Sequence, residues 1–292
     1  MSYTIATDTS ANLPSLMLKE KGIAVAPFSY FIDGRTYHCL NTEAFNGARF
    51  YDAIRDGVRV TTSQINPQEY MDFFRPFLEN GEDVLYIAMS SGISGSCQSA
   101  RLAAEQLKQK YPARTVCVVD TLGASLGEGI PVLKAAQFRA QGVGLEENMR
   151  RIEAMCRRMY QVFVVDDLMH LRRSGRLSGT AAIVGTVLQI KPLLKGNEEG
   201  KIVSFAKVRG RRKAIEALAE KYDSLAIMPS LQTVGIAHAD NPEDAAYLAA
   251  LLRRKRPPGR ILTVCYEPVT GSHVGPGTVA LFFESDDTVR GK

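Results

Sequence analysis

Residues 84–104 read VLYIAMSSGISGSCQSARLAA. An almost unbroken apolar run, Val84 to Met89, stops at a loop of hydroxyls and glycines, Ser90-Ser91-Gly92-Ile93-Ser94-Gly95-Ser96. The loop opens directly into a helical pattern with Ala100, Ala103, Ala104 and Leu107 on one face. A buried strand, a small-residue turn and a helix start bring orphan N–H donors, the positive end of the helix dipole and serine hydroxyls to one point. Such a point suits an anion. It lacks the lysine of a phosphate-binding P-loop, so a nucleotide is not the expected guest, and the anion need not be a phosphate.

The same alternation extends on both sides. Tyr3–Ala6 and Ile23–Phe28 read as strands, Tyr30–Tyr37 as a hairpin around Asp33-Gly34, Phe45–Ile54 as a helix, Val60–Gln64 as an extended polar segment and Gln68–Leu78 as a helix. Thr115–Asp120 repeats the buried-strand pattern and runs into a glycine-containing, alanine-rich helix, and Leu145–Arg158 is a further helix. Continuous apolar strands between helices predict a doubly wound parallel sheet over residues 1–160. Residues 161–292 read differently, as a mixed-sheet α/β (α+β-like) domain. Strands are expected at Gln161–Val165, Lys201–Val208, Thr233–His238, Ile261–Tyr266 and Thr278–Phe283, and helices at Ala181–Leu188, Arg211–Tyr222 and Pro242–Lys255.

A chain of 292 residues with 45% hydrophobic and 23% charged residues is ordinary for a globular protein of two domains. No apolar stretch approaches the roughly 20 residues needed to span a bilayer, so stable membrane insertion is not expected. The opening MSYTIATDTS lacks a basic region followed by an apolar core, so no secretory signal is expected. The five cysteines are scattered and form no C-x-x-C pair, which argues for reduced thiols in the cytoplasm rather than disulfides or a zinc site. The net charge of +5 concentrates in Lys207–Lys213 and Arg253–Arg256. Both clusters read either as solvated faces or as contact surfaces for an anionic or protein partner.

In an open α/β sheet, ligands bind beyond the carboxyl ends of the strands. The polar strand ends of the first half are Asp8-Thr9-Ser10, Thr61-Thr62-Ser63-Gln64, Ser90–Ser96 and Asp120-Thr121. They are expected to gather at one sheet edge. They hold hydroxyls but neither histidine nor lysine, an inventory for hydrogen bonding to a carboxylate or phosphate rather than for acid–base chemistry. Any one of these serines by itself reads first as a helix cap; it is the converging set that reads as a ligand site. His273, within Gly271-Ser272-His273-Val274-Gly275-Pro276-Gly277, is expected in a loop where the backbone approaches a guest closely. His38, His170 and His238 read as structural. Asp166 and Asp167 precede a basic turn ending in Gly175-Arg176, either a metal site or, more ordinarily, a capped helix with a salt-bridged turn. Arg176 is the permanent cation best placed for an anion. No H-E-x-x-H, dinucleotide fingerprint or nucleophile elbow is present around Ser94, so neither a metal nor a nicotinamide cofactor is expected.

Several of these segments together resemble the DegV family of bacterial fatty-acid-binding proteins. They are the opening I-A-T-D-T-S-A-N-L-P, Thr62-Ser63-Gln64, Ser90–Ser96, Val119-Asp120-Thr121, Asp167-Leu168 through Gly175-Arg176-Leu177, Ile190-Lys191-Pro192-Leu193, Lys207-Val208-Arg209-Gly210 and His273-Val274-Gly275-Pro276-Gly277. They occur in family order across nearly the whole chain. The resemblance implies two α/β domains with a long-chain fatty acid between them and no catalytic centre. It also implies that the carboxylate is held by Thr62, Ser94 and His273 with Arg176 nearby, supported by Ser63, Gly95 and Gly275. The acid would be presented to an ATP-dependent fatty-acid kinase for acyl-phosphate formation, with Arg209 facing that partner. Ile65, Ser174 and Cys97 depart from the residues the family usually carries.

The physics agrees. Neutral hydroxyls, amides and one histidine can hold a carboxylate, while a tail of about sixteen carbons contributes about 0.8 kcal/mol per buried methylene and dominates affinity. Ile183, Val184, Val187 and Leu188 read as tail lining or as ordinary core. Two other functions are compatible with the residues. One is an acyl hydrolase or acyltransferase using Ser94 and His273, and the other a nucleic-acid-binding protein using the basic clusters.

Overall fold

The computed structural model describes residues 3–179, 189–286 and 290. The chain divides into two compact units, Met1–Phe45 with Val60–Arg157, and Asn46–Arg59 with Arg158–Lys292. The apolar segment 181–188, expected as a helix, and with it Ile183, Val184, Val187 and Leu188, lies outside the described residues.

The first unit opens with β1 (Tyr3–Asp8), α1 (Ser15–Glu20) and β2 (Ile23–Ala26), followed by the hairpin β3 (Ser29–Ile32) and β4 (Arg35–His38). Asp33 and Gly34 both take positive φ, 49° and 75°, which is what a two-residue turn matched to strand twist demands. The helix α2 (Gly47–Arg55) follows in sequence but belongs to the second unit. Next come β5 (Val60–Ser63), α3 (Pro67–Glu79), β6 (Asp83–Ala88), α4 (Ser96–Lys110), β7 (Val116–Asp120), α5 (Leu126–Ala140) and α6 (Leu145–Arg158). Four strands pair in parallel in the order β2-β1-β6-β7, with every residue of β6 buried. The doubly wound parallel sheet expected from the apolar runs is therefore present.

One expectation changes. Val60–Ser63 does not end at the edge of the parallel sheet; it pairs antiparallel with β3 in a separate sheet of order β4-β3-β5. Its residues alternate between exposed and half-buried, and such a strand gains nothing from a sheet covered on both faces. The helix that follows is specified locally. Asn66 and Glu69 form a reciprocal capping box, Pro67 occupies the first turn, and Tyr70, Phe74 and Leu78 fall on one buried face.

The second unit continues through β8 (Met159–Val164), α7 (Met169–Arg173), β9 (Leu177–Ser178), β10 (Ile190–Gly196), β11 (Ile202–Arg209), α8 (Arg211–Leu225), β12 (Thr233–His238), α9 (Pro242–Lys255), β13 (Arg260–Cys265), α10 (Pro268–Val274) and β14 (Val279–Glu284). Its sheet runs β13-β12-β14-β8-β10-β11-β9, mixing parallel and antiparallel pairs. Ile215, Leu218 and Tyr222 of α8 and Leu248 and Leu252 of α9 share one core with Val162, Ile236, Leu281 and Phe283 from the strands. The second unit also claims α2. Tyr51 is fully buried and donates its hydroxyl to the Tyr266 carbonyl at 2.8 Å, and Arg55 pairs with Asp240 at 2.5 Å.

Candidate functional site

In the first unit the carboxyl ends of β1, β6 and β7 carry polar residues together, as the sequence predicts. After β6 the chain turns sharply: the N–H groups of Ile93 and Ser94 donate to the Ser90 carbonyl at 3.2 and 3.1 Å. Asp120, ending β7, accepts from the N–H groups of Ser91 and Leu122 at 3.2 and 3.0 Å. The loop's shape thus depends on its neighbouring strand. Gly95, not a serine, stands at the start of α4 and makes no side-chain cap, while Ser94 accepts from the Ser96 N–H at 3.2 Å. Ser90 and Ser96 are fully buried, while Ser94 between them is half-buried, so both ends of the loop are anchored and its middle reaches solvent.

Thr62 sits on β5 opposite Tyr30, half-buried, and Ser63 ends that strand exposed. Although β5 lies outside the parallel sheet, the loop after it meets the Ser90–Ser96 loop. The Ile65 N–H donates to Ser96 Oγ at 3.1 Å, and a methyl group on Gly95 would collide with the Gln64 amide. Isoleucine at 65 matters here, because a proline would have no N–H to give.

In the second unit His273 is not in a loop. It occupies the last turn of α10, a helix started by Pro268 and capped by Glu267, whose carboxylate accepts from the N–H groups of Val269 and Thr270 at 2.7 and 2.6 Å. Gly275 follows at φ 80°, and a side chain there would strike the His170 ring at 2.3 Å. Burial, and then the charge of Arg176, lower the His273 pKa to about 4, so its imidazole is neutral near pH 7 and keeps one N–H to donate. Arg176 is half-buried after the left-handed Gly175, its guanidinium donating to the Ser174 carbonyl at 2.5 Å. His273 and Arg176 are therefore electrostatic neighbours.

The aspartate pair takes the ordinary reading. Asp167 accepts from the Met169 N–H at 2.8 Å, starting α7, and Asp166 pairs with Lys191 and Arg211 at 2.6 and 3.3 Å. No group of three or more potential metal ligands occurs among the described residues. Of the first basic cluster, Arg209 is exposed at the end of β11, whereas Arg211 turns inward to Asp244 at 2.6 Å and to the Gly277 carbonyl at 2.6 Å. In the second cluster Arg256 donates to the Asp223 carbonyl at 2.5 Å. His238 Nδ1 accepts from the Asn241 N–H, and His38 Nδ1 lies 3.2 Å from the Phe28 carbonyl, in keeping with structural roles.

Reading by pattern misses Tyr70, Tyr86 and Glu128. Each is fully buried, yet each hides its polar atom in an apolar helix face, an apolar strand or a small-residue helix. Tyr86 donates to Asp8 Oδ2 at 2.9 Å and its hydroxyl meets that of Tyr70 at 2.7 Å. Glu128 meets Ser10 and Thr7 at 2.6 and 2.8 Å.

The DegV family model ("Uncharacterised protein, DegV family") matches residues 2–286. The chain belongs to the DegV family. A DegV domain-containing protein of Clostridium perfringens is 37% identical over 284 residues, covering 97% of this chain and 98% of its own. Among solved structures, a DegV protein of Thermus thermophilus described as binding fatty acid superposes with a TM-score of 0.87 at 31% identity, over 98% of this chain and 100% of its own. A DegV lipid-binding protein of Thermotoga maritima gives 0.85 at 29% identity, over 98% and 99%. The fatty-acid-binding DegV of Bacillus subtilis gives 0.83 at 28%, over 98% and 100%. The mixed α/β architecture is thus that of DegV proteins throughout. No described helix is long and apolar enough to cross a membrane.

Proposed function

We propose that this DegV protein is a fatty-acid carrier rather than an enzyme, binding one long-chain fatty acid and presenting its carboxylate to an ATP-dependent kinase for acyl-phosphate formation. Thr62, Ser94 and His273 donate to the carboxylate, Arg176 supplies the adjacent positive charge, and Ser63, Gly95 and Gly275 shape the supporting loops. What carries the reading is the donor set: two half-buried hydroxyls and a histidine that burial keeps neutral at pH 7. With a pKa of about 4 the imidazole is a weak base, so the set suits hydrogen bonding to an anion better than proton abstraction. Ser94's side-chain hydrogen bonds are both with Ser96, which is not a base. The likeness to fatty-acid-binding DegV structures over 98% of the chain supports the choice of ligand. Arg209 faces the kinase, a role suited to its exposure. The free cysteines favour a reducing compartment, so the carrier is placed in the cytoplasm.

Native mass spectrometry of the purified protein tests this. The expected result is a non-covalent adduct with the mass of a free fatty acid. Ser94→Ala or His273→Ala should weaken retention by roughly tenfold or more, as loss of a hydrogen bond to a charged group does. Arg209→Glu should spare retention and impair phosphorylation by the kinase. A covalent acyl group on Ser94, or turnover of acyl esters, would overturn the carrier reading.

A further inference from the structure

His273 stands in a helix too short to hold it unaided. α10 has seven residues, Gly271 and Ser272 among them, and His273 lies in its last turn. A helix of about two turns is unstable alone, and its carboxyl end carries carbonyls without partners inside the helix. Glu267 fixes the start, so the place of the imidazole depends on what closes the other end. There the chain turns through Gly275 and Gly277, at φ 80° and 78°, and enters β14.

Three side chains from other parts of the second unit close on that turn. The His170 ring of α7 fills the place that a side chain on Gly275 would take, and the Asp166 carboxylate, just after β8, does the same at Gly277. Arg211, the first residue of α8, donates from Nη2 to the Gly277 carbonyl at 2.6 Å. Its other donors are taken in fixed directions: Nε meets Asp244 Oδ2 at 2.6 Å, and Nη1 meets Asp166 Oδ1 at 3.3 Å. Lys191 holds the same Asp166 oxygen at 2.6 Å. A planar guanidinium anchored on two carboxylates is a rigid strut, which the single ammonium of a lysine is not.

The strut acts by position rather than by charge. Lys191 and Arg211 are balanced by Asp166 and Asp244, and the charge that acts on His273 is that of Arg176, after the larger effect of burial. Keeping water from the imidazole therefore requires the last turn of α10 to be held shut. The helices packed on α10 are α7 and α2. Tyr51 of α2 meets it at Gly271, before the histidine, which leaves the far end to His170, Asp166 and Arg211.

We infer that Arg211 is a positioning residue for ligand recognition: its grip on the Gly277 carbonyl fixes the turn after α10 and thereby the place where His273 meets the bound carboxylate. The inference rests on the proposed role of His273. It gives a task to the member of the Lys207–Lys213 cluster that turns inward, where a solvated face or a partner contact would leave the side chain pointing out.

A histidine NMR titration of the full chain tests it, with His273→Gln identifying the resonance. In the unaltered protein about a tenth of His273 is protonated at about pH 5, as a pKa of about 4 requires. Arg211→Lys keeps the charge and loses the fork. Its His273 should hold a proton about ten times more tightly, leaving about half of it protonated at about pH 5. Oleate affinity at about pH 7.5 should fall about tenfold, the scale of one hydrogen bond to a charged group. Leu218→Ala, which weakens the core of the same unit, should leave the His273 titration unmoved. His170, whose pKa burial also lowers, is present in every protein compared. If Arg211→Lys does not fold, Asp166→Ala at an exposed position carries the test. Losing a negative charge by itself lowers a histidine pKa, so a rise there would report the released turn. An unmoved His273 or an undiminished oleate affinity in the folded variant, or the same rise in Leu218→Ala, would overturn the inference alone. Absence of oleate binding by the unaltered protein would overturn the carrier reading and the ligand role of His273 with it.

Discussion

Ser94, Thr62, His273 and Arg176 differ in how far their surroundings can be inferred from neighbouring letters. The glycine-flanked serines announce a loop that tolerates close approach, and the structure bears out that loop. Gly271, Gly275, Pro276 and Gly277 around His273 point to a loop. The histidine sits instead in a helix whose own start signals, Glu267 and Pro268, were in plain view. Its lowered pKa has a consequence with a definite sign. A histidine at about 4 when folded and 6.5 when unfolded contributes stability that is complete above pH 6.5 and lost as pH falls towards 4. Urea unfolding at a series of pH values should therefore show the advantage of the unaltered protein over His273→Gln shrinking across that window. Parallel pH profiles for the two proteins would count against a buried, neutral His273.

Among the elements, those with strong internal period were readable in advance. α9 begins at Pro242 and ends at Lys255 as expected, and the structure adds its Asn241 cap, acidic first turn and basic last turn. The β3–β4 hairpin follows from Asp33-Gly34. A short alternating strand such as β5 specifies a half-exposed setting but not which sheet provides it. Packing between elements is equally hidden: Gly129 on α5 lies against the chain after β1, where an added methyl would stand 2.4 Å from the Ala11 carbonyl oxygen and 3.0 Å from Leu13. A backbone atom cannot swing aside as a side-chain tip can. Gly129→Ala should thus destabilise the protein by about 1–3 kcal/mol despite the better helix propensity of alanine, and chemical denaturation will read it directly. A stabilised variant would show that α5 is free to shift.

Across the whole molecule, the first unit holds the parallel sheet and the small β4-β3-β5 sheet, the second unit holds the mixed sheet, and the core shared by α8, α9 and the mixed sheet draws on the second unit alone. Leu218 is fully buried in that core, so Leu218→Ala should cost about 2–5 kcal/mol through lost burial and the cavity left behind. Hydrogen exchange should accelerate in β8, β12 and β14 first, with β1 and β6 protected for longer. Uniform acceleration in all five strands would mean that the units unfold only together. The segment 46–59 should exchange with the second unit, although it lies in the first half of the sequence.

Local order in the chain was enough to establish alternating strands and helices, a parallel first sheet and a mixed second one, because strand and helix periods arise between residues a few positions apart. Three features needed the folded chain: the attachment of α2 to the second unit, the inward turn of Arg211, and the buried hydrogen bonds of Tyr70, Tyr86 and Glu128. Each depends on partners distant in sequence, 215 residues for Tyr51 and Tyr266 and 121 for Thr7 and Glu128. A buried tyrosine or glutamate in an apolar stretch leaves no periodic trace of the group that satisfies it; only the packing of separate elements brings donor and acceptor together, away from competing water.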